Sequence, residues 1–240
     1  MRVAVITGAA GGIGAATARA FAGAGYDLAL LDRAPSELPD GAGGMSLCCD
    51  LADPRAVAAA FGAIASKFPR LDVLANIAGI NHRAPVAGMR VEDWDRMMDI
   101  NVGAMFLTCK YAIPLMTGEG AAIVNMASIS GHVASADYPA YVATKAAVES
   151  FTWALSGEVG PRIRVNAVAP GWVAAGFTNA ALETTPDPDG LLARARAAHL
   201  LGRMAEPREV AAAVLWLASH KASFVTGETL FVDGGLMRVH

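Results

Sequence analysis

The sequence predicts an α/β fold in which one parallel sheet is covered by helices on both faces. Short apolar runs alternate with alanine-rich segments of helical period along the chain. The apolar runs are continuous rather than alternating, which is typical of strands buried on both faces. No shift in composition marks a second domain, so we expect residues 1–240 to form a single domain.

The first half of the chain predicts four strands. A β-branched run at 2–7 (RVAVIT) ends in glycines, and a helix of about 12–24 follows it, closed by Gly23 and Gly25. Asp53 as N-cap and Pro54 in the first turn predict a helix that runs to about Phe68. The other apolar runs of this half predict strands at 27–32, 45–50 and 72–77.

The second half predicts three further strands, which brings the sheet to seven. A long helical region covers about 91–116, a second helix covers 139–157, and Pro207 begins a third that runs to about 219. The apolar runs between and after these helices predict strands at 121–127, 163–170 and 229–233. Residues 33–44 leave little room for a helix between the second and third strands. We expect the irregular stretch of about 174–200 to be a mobile loop over the substrate.

The composition argues against several function classes. The net charge is −3, without a basic block that would bind nucleic acid. The longest apolar run near the C-terminus, 210–218, is too short to span a membrane. A strand at residue 2 leaves no visible signal peptide, so we expect a cytoplasmic protein. Cys48, Cys49 and Cys109 lack metal-ligand spacing, so no metal site is expected, and we expect Cys48 and Cys49 to be buried thiols.

A glycine-rich loop joins the first strand to the first helix. In TGAAGGIGAAT (7–17), Gly8, Gly12 and Gly14 allow a tight turn and a close approach of pyrophosphate to the helix N-terminus. Asp32 ends the second strand, where a carboxylate can accept hydrogen bonds from both ribose hydroxyls of an adenosine. This carboxylate favours NAD over NADP. Arg33 leaves the alternative open, because an arginine there can contact a 2′-phosphate.

Two tyrosines and one lysine occupy the segment DYPAYVATKAA (137–147). Tyr141 and Lys145 are four apart on a predicted helix and therefore share a face. A nearby ammonium stabilises a phenolate and lowers the pKa of the tyrosine, so that Tyr141 can exchange a proton with an alcohol or a ketone. Tyr138 precedes Pro139, which disfavours helical geometry, so we expect it at the helix cap and in the pocket wall.

These segments together resemble the short-chain dehydrogenase/reductase family over nearly the whole chain. The loop TGAAGGIG resembles that family's TGxxxGxG, and YVATK is its YxxxK. The remaining segments that resemble family motifs are CDL (49–51), NIAG (76–79), DINVG (99–103), IVNMASISG (123–131), APGWV (169–173) and TGETLFVDGG (226–235). The resemblance implies a single-domain Rossmann-type, doubly wound fold with strand order 3-2-1-4-5-6-7.

The resemblance also implies residue roles. Tyr141 would be the general acid/base, Ser128 would position the substrate oxygen, Lys145 would hold the nicotinamide ribose, and Asn101 would anchor a water that relays protons. The implied nucleotide contacts, besides Tyr141 and Lys145, are Gly8, Gly12, Ile13, Gly14, Asp32, Asp50, Leu51, Asn76, Ala78, Gly79, Pro170, Gly171 and Val173. The implied reaction interconverts a secondary alcohol and a ketone with NAD(H), in a homotetramer or homodimer whose C-terminal strand lies near a subunit contact.

Two departures from the family pattern concern affinity for the cofactor. Ile77 replaces the second asparagine of NNAG, and Ala175 replaces the threonine of PGxVxT, for which Thr178 could substitute. Two alternatives stay open, an NADP-dependent carbonyl reductase and a non-catalytic dinucleotide-binding regulator. We expect substrate contacts among the residues that follow Gly79, Ser128 and Gly171, namely His82, Arg83, Ser130, His132, Trp172 and Phe177. Trp94 is expected in core or subunit packing.

Overall fold

The computed structural model describes residues 2–133 and 136–238. Seven strands form one parallel sheet in the order β3-β2-β1-β4-β5-β6-β7. The predicted fold class and strand order are therefore confirmed. The strands are β1 (Arg2–Thr7), β2 (Tyr26–Asp32), β3 (Gly44–Cys48), β4 (Val73–Asn76), β5 (Ala121–Met126), β6 (Ile163–Pro170) and β7 (Thr229–Val232).

Eight α-helices connect and cover these strands within the described residues. They are α1 (Gly12–Gly23), α2 (Pro54–Lys67), α3 (Val91–Met98), α4 (Ala104–Ala112), α5 (Pro139–Val159), α6 (Phe177–Thr184), α7 (Pro188–Ala197) and α8 (Pro207–Ala218). A π-helical turn, Asp99–Gly103, joins α3 to α4, so the predicted helical region of 91–116 is almost continuous.

The sheet separates two apolar cores. Val3 and Val5 of β1 pack into one core with α2, α4 and α5, while Ala4 and Ile6 pack into the other with α1 and α8. Successive side chains of a strand point to opposite faces, so a continuously apolar strand fills both cores. This arrangement is the physical reason why the apolar runs of the sequence predicted buried parallel strands.

Two expectations are corrected by the structure. The segment 174–200 is not an irregular loop, because it contains α6 and α7. Asp187 caps α7, its carboxylate accepting a hydrogen bond from the Gly190 amide at 2.9 Å. Cys48 is exposed rather than buried, and only its neighbour Cys49 lies in the core. The link between β2 and β3 contains no helix, as predicted.

The strand order reverses between β1 and β4, where β2 and β3 extend to one side and β5 to β7 to the other. Ligands of open α/β sheets bind at the carboxyl ends of the strands near such a reversal. Among the described helices, none combines the length and apolar character that a membrane span needs.

Candidate active site

A cavity of about 890 Å³ opens at the carboxyl ends of the strands. Its walls come from the segments that follow β1 to β6, so residues far apart in the sequence meet there. Of the residues predicted to bind nucleotide or substrate oxygen, these line the cavity: Gly8, Gly12, Ile13, Gly14, Asp32, Asp50, Leu51, Ala78, Gly79, Ser128, Tyr141, Lys145, Pro170, Gly171 and Val173.

The glycine-rich loop is packed too tightly for side chains at two positions. Gly8 has φ +68°, and a Cβ there would lie 2.8 Å from the Ala78 Cα. A Cβ on Gly14 would lie 1.9 Å from the Gly8 carbonyl oxygen. The loop therefore turns directly into α1, whose first amides have no partner within the helix and attract an anion.

Asp32 braces the glycine-rich loop at the same end of the cavity. Its carboxylate accepts hydrogen bonds from the Ala10 and Ala34 amides, both at 2.9 Å. A carboxylate has about four acceptor sites, so its oxygens can also accept a ribose diol. Arg33 lines the cavity beside it. The glycine cradle and this carboxylate have the donor and acceptor chemistry that an NAD(P) nucleotide requires.

Tyr141 and Lys145 lie on one face of α5 at the other end of the cavity. Tyr138 is the N-cap of α5, as predicted, and its ring meets the Tyr141 ring at 5.4 Å. Tyr141 is 7% exposed and Lys145 is 3% exposed. The Lys145 Nζ lies 5.6 Å from the centre of the Tyr141 ring and donates a hydrogen bond to the Met126 carbonyl at 2.7 Å. Ser128 follows β5 and lines the cavity beside them.

The charges of this pair differ from the sequence-based expectation. Burial raises the pKa of the Tyr141 hydroxyl above its usual range, and the Ser128 hydroxyl acts in the opposite direction. Burial lowers the pKa of the Lys145 ammonium to about 8. In this structure, then, the phenolate gains no net stabilisation from the lysine, which is bonded to Met126 instead. The expected lowering of the Tyr141 pKa is not found.

Asn101 lies behind the cavity wall. The π-helical turn carries it, and its side chain bonds both the amide and the carbonyl of Ile80, at 2.8 and 2.9 Å, and also the Thr144 hydroxyl at 3.1 Å. A Cβ added to Gly79 would lie 3.2 Å from Asn101 Oδ1 and 3.6 Å from Lys145 Nζ. Asn101 and Lys145 therefore approach each other across Gly79, where a side chain would separate them.

Asn76 does not line the cavity, which corrects the prediction for it. Its side chain turns into the core, where Nδ2 donates to Asn125 at 2.9 Å and Oδ1 accepts from Thr108 at 2.7 Å. Ile77, the departure from the family pattern beside it, lines the cavity and packs into the core. Asn76 thus ties β4 to β5 and α4 rather than reaching a ligand.

Five of the six predicted substrate contacts line the cavity: Arg83, Ser130, His132, Trp172 and Phe177. His82 does not, and instead pairs with Asp93 at 3.7 Å on the surface. Phe177 is the first residue of α6 and meets the Tyr141 ring edge-on at 6.2 Å. Thr178 also lines the cavity. Trp94 is exposed, which leaves subunit packing as its predicted role and excludes the core.

Sequence reasoning missed Arg96 and Leu236, which line the cavity, and His199, which supports it. His199 is buried, donates to the Ala195 carbonyl at 2.7 Å and accepts from the Trp172 amide at 3.2 Å. It thereby fixes the cavity segment at 171–172. A lone histidine outside any recognisable spacing gave no signal. Within residues 2–133 and 136–238, no group of three His, Cys, Asp or Glu residues could hold a metal ion.

Comparison with known proteins gives consistent matches. A family model described as enoyl-(acyl carrier protein) reductase matches residues 8–237. The chain is 40% identical to a cis-4-hydroxycyclohexanecarboxylate dehydrogenase of Sinomonas cyclohexanicum, over 99% of this chain and 97% of that protein. It is 37% identical to a D-threitol dehydrogenase of Mycolicibacterium smegmatis, over 98% and 92%. The structure of ligand-free aldohexose dehydrogenase from Thermoplasma acidophilum superposes with a TM-score of 0.92 at 31% identity, covering 99% and 94%.

Proposed function

Because the chain belongs to the short-chain dehydrogenase/reductase family and is an oxidoreductase acting on CH–OH donors, we propose that it interconverts a small secondary alcohol and a ketone with NAD(H). The observation that carries this proposal is the convergence of Tyr141, Lys145 and Ser128 at one end of a cavity whose other end is a glycine cradle. Proteins of this family use NAD(P) nucleotides, and the choice of NAD is the finer part of the proposal.

The proposed proton acceptor is Tyr141. In alcohol oxidation its phenolate takes the hydroxyl proton while the carbinol carbon loses a hydride, and in ketone reduction the phenol returns the proton. Ser128 holds the substrate oxygen by a hydrogen bond. When bound, the oxidised nicotinamide supplies the hydride acceptor and a positive charge.

Lys145 acts in this proposal by its charge and by holding a ribose hydroxyl. Burial works against both charged forms, because it raises the pKa of Tyr141 and lowers that of Lys145. An ammonium at Lys145 would favour the phenolate, since opposite charges in a buried site stabilise each other. Asn101 lies across Gly79 from Lys145 and is the proposed anchor of a water that carries protons to it.

The nucleotide choice is assigned to Asp32. The residues proposed to hold the nucleotide are the cavity-lining set from Gly8 to Val173, with Asp32 at the adenosine ribose. A 2′-phosphate would bring negative charge to a carboxylate that already braces the loop. The competing reading gives Arg33 the 2′-phosphate and makes the protein NADP-dependent.

Titration of the purified protein with NADH and NADPH, followed by fluorescence, tests this choice. We expect NADH to bind at least about tenfold more tightly, and Asp32→Ala to abolish that preference, since each 1.4 kcal/mol is a factor of ten. Arg33→Ala is the matched control and should keep the preference. Tighter NADPH binding that is lost in Arg33→Ala would reverse the assignment.

The reaction is tested with NAD⁺ and a panel of small secondary alcohols. D-threitol and cis-4-hydroxycyclohexanecarboxylate head the panel because the relatives act on them. Formation of NADH together with the matching ketone is the expected result. Tight NADH binding without turnover of any alcohol or ketone would instead support the non-catalytic regulator.

The proposed homotetramer or homodimer has support from two exposed aromatic side chains, Phe106 on α4 and Trp153 on α5. Large apolar side chains on exposed helix faces are typical of subunit contacts. Light scattering coupled to size-exclusion chromatography measures the assembly, and a monomer would contradict the proposal. The cytoplasmic location stays a prediction.

A further inference from the structure

The two ends of the cavity differ in charge. Among the described residues that line it, the carboxylates are Asp32 and Asp50, which lie at the carboxyl ends of β2 and β3. Ser128 follows β5, which is three strands away from β2 in the sheet. Neighbouring strands are about 4.8 Å apart, so these carboxylates lie roughly 14 Å or more from the catalytic end along the sheet. The catalytic end instead carries an arginine.

Arg83 lies above the tyrosine pair of this end. Its guanidinium carbon is 4.5 Å from the centre of the Tyr138 ring, and that ring is 5.4 Å from the Tyr141 ring. The guanidinium is therefore no farther from Tyr141 than these two distances laid end to end. Asn81 donates a hydrogen bond to the Tyr138 hydroxyl, which fixes the ring beneath the guanidinium.

The charge of Arg83 has no carboxylate partner among the residues that the structure describes, although Arg90 in the same segment pairs with Glu92 at 3.3 Å. The surrounding wall is largely apolar, with Ile129, Trp172 and Phe177 lining the cavity. A guanidinium held flat on an aromatic ring presents its N–H groups at its edge, in the geometry that matches a carboxylate.

We propose that Arg83 binds a carboxylate of the substrate, on the opposite side of a short apolar skeleton from the carbon that reacts at Tyr141. The inference rests on the proposed function, because it takes the Tyr141 end of the cavity as the substrate site. A carboxylate suits the site better than a phosphate, since the platform offers one guanidinium and a phosphate dianion is usually held by several cations. The substrate is then a small hydroxy or oxo carboxylic acid.

Calorimetric titration compares two ligands of equal shape, cyclohexanecarboxylate and its neutral amide, cyclohexanecarboxamide, on the protein saturated with NADH. We expect the carboxylate to bind at least about tenfold more tightly, because a charge-assisted hydrogen-bond pair is lost in the amide. Arg83→Gln should bring the ratio close to one, and Arg83→Lys should keep part of it. Arg90→Gln, a neighbouring arginine outside the cavity, should keep the wild-type ratio.

Equal affinity for the two ligands, or a preference that survives in Arg83→Gln, would overturn the proposal. So would an Arg83→Gln variant that loses NADH affinity as strongly as carboxylate affinity, since Arg83 would then serve the nucleotide. The readout does not depend on turnover. Carboxylate selectivity without oxidation of any alcohol would leave the anion site in place and refute the proposed function. Oxidation of neutral alcohols without charge preference would do the reverse.

Discussion

The two ends of the cavity are built in different ways. The nucleotide end uses main-chain groups and one carboxylate from a single stretch, residues 7–32, and its geometry depends on the close approach of Gly14 to the Gly8 carbonyl. The catalytic end uses buried side chains that follow β4 and β5 or lie on α5. Changes at the nucleotide end should therefore act through shape and binding, whereas changes at the catalytic end should act through charge and proton transfer.

The largest expected effect comes from Tyr141→Phe at the catalytic end. Removal of the hydroxyl deletes the proposed proton acceptor, for which general acid–base catalysis predicts a loss of about 10²- to 10⁴-fold in kcat. NADH affinity should change little, because the nucleotide end is untouched. Steady-state kinetics together with NADH titration measure both quantities.

Tyr138→Phe is the comparison for this variant. Tyr138 touches Tyr141 but sits at the helix cap, so its loss should cost far less in kcat than the loss of Tyr141. Equal losses in the two variants would remove the distinction between them. Turnover by Tyr141→Phe near the wild-type level would refute the assignment of the proton acceptor.

The next effect belongs to the nucleotide end and is steric. Gly14→Ala places a Cβ against the Gly8 carbonyl oxygen, and this atom is main chain and cannot rotate away. We expect a loss of about 3 kcal/mol in unfolding free energy, at the upper end of overpacking costs, and weaker NADH binding. Urea unfolding and NADH titration measure the two effects.

Gly23→Ala is the matched control on the same helix. A Cβ at Gly23 would have no atom within 4 Å among the described residues, so alanine should be neutral or stabilise by about 0.5–1 kcal/mol through its higher helix propensity. If Gly14→Ala were as stable as Gly23→Ala and bound NADH normally, tight packing would not define this end of the cavity.

The third effect is a pH dependence of stability at the catalytic end. Burial lowers the pKa of Lys145 from 10.5 to about 8, so between these values the unfolded chain keeps a proton that the native protein has lost. Stability therefore rises with pH through this window, and below pH 8 the native protein bears the full cost of the buried ammonium. From pH 7 to 9.5 the gain is about 2 kcal/mol.

Lys145→Met isolates this contribution, because methionine fills a similar volume without a charge. Urea unfolding of both proteins at pH 7 and pH 9.5 should show that the wild-type protein gains about 2 kcal/mol more than the variant over this interval. Parallel changes in the two proteins would mean that Lys145 titrates as if exposed, and the electrostatic contrast between the two ends would fail.

The sequence predicted the nucleotide end and the sheet well, because both depend on local patterns such as apolar runs and glycine spacing. It predicted α2 from Asp53 and Pro54, yet the same pair at Asp187 and Pro188 begins α7 within a stretch that looked irregular. Pro186 and Gly190 around that pair suggested a loop. The difference lies in the flanking residues, since α7 has little apolar pattern of its own.

The catalytic end was predicted only in part, because its details depend on contacts between distant segments. The bond from Lys145 to the Met126 carbonyl joins α5 to β5, and the bonds of Asn76 to Asn125 and Thr108 join β4 to β5 and α4. Spacing on one helix can place Lys145 near Tyr141, but it cannot show which acceptor the ammonium chooses. His199 was missed for the same reason.

The smallest predicted effect concerns a link within the catalytic end. His132 Nε2 lies 2.8 and 2.9 Å from the two carboxylate oxygens of Glu149, which is buried on α5 one turn beyond Lys145. His132 closes the turn that follows Ser128, so this pair ties the segment of Ser128 to the helix of Tyr141.

Glu149→Gln keeps the shape and one acceptor but removes the charge. We expect it to lower the unfolding free energy by about 1 kcal/mol and to reduce kcat by a small factor, because Ser128 is then held less firmly against Tyr141. Glu158→Gln on the exposed part of the same helix is the matched control and should change neither quantity. A Glu149→Gln variant that loses stability but keeps kcat would show that the pair supports α5 without aligning the two catalytic side chains. If neither quantity changed, the catalytic end would depend on the helix alone, and its geometry would be as local in origin as that of the nucleotide end.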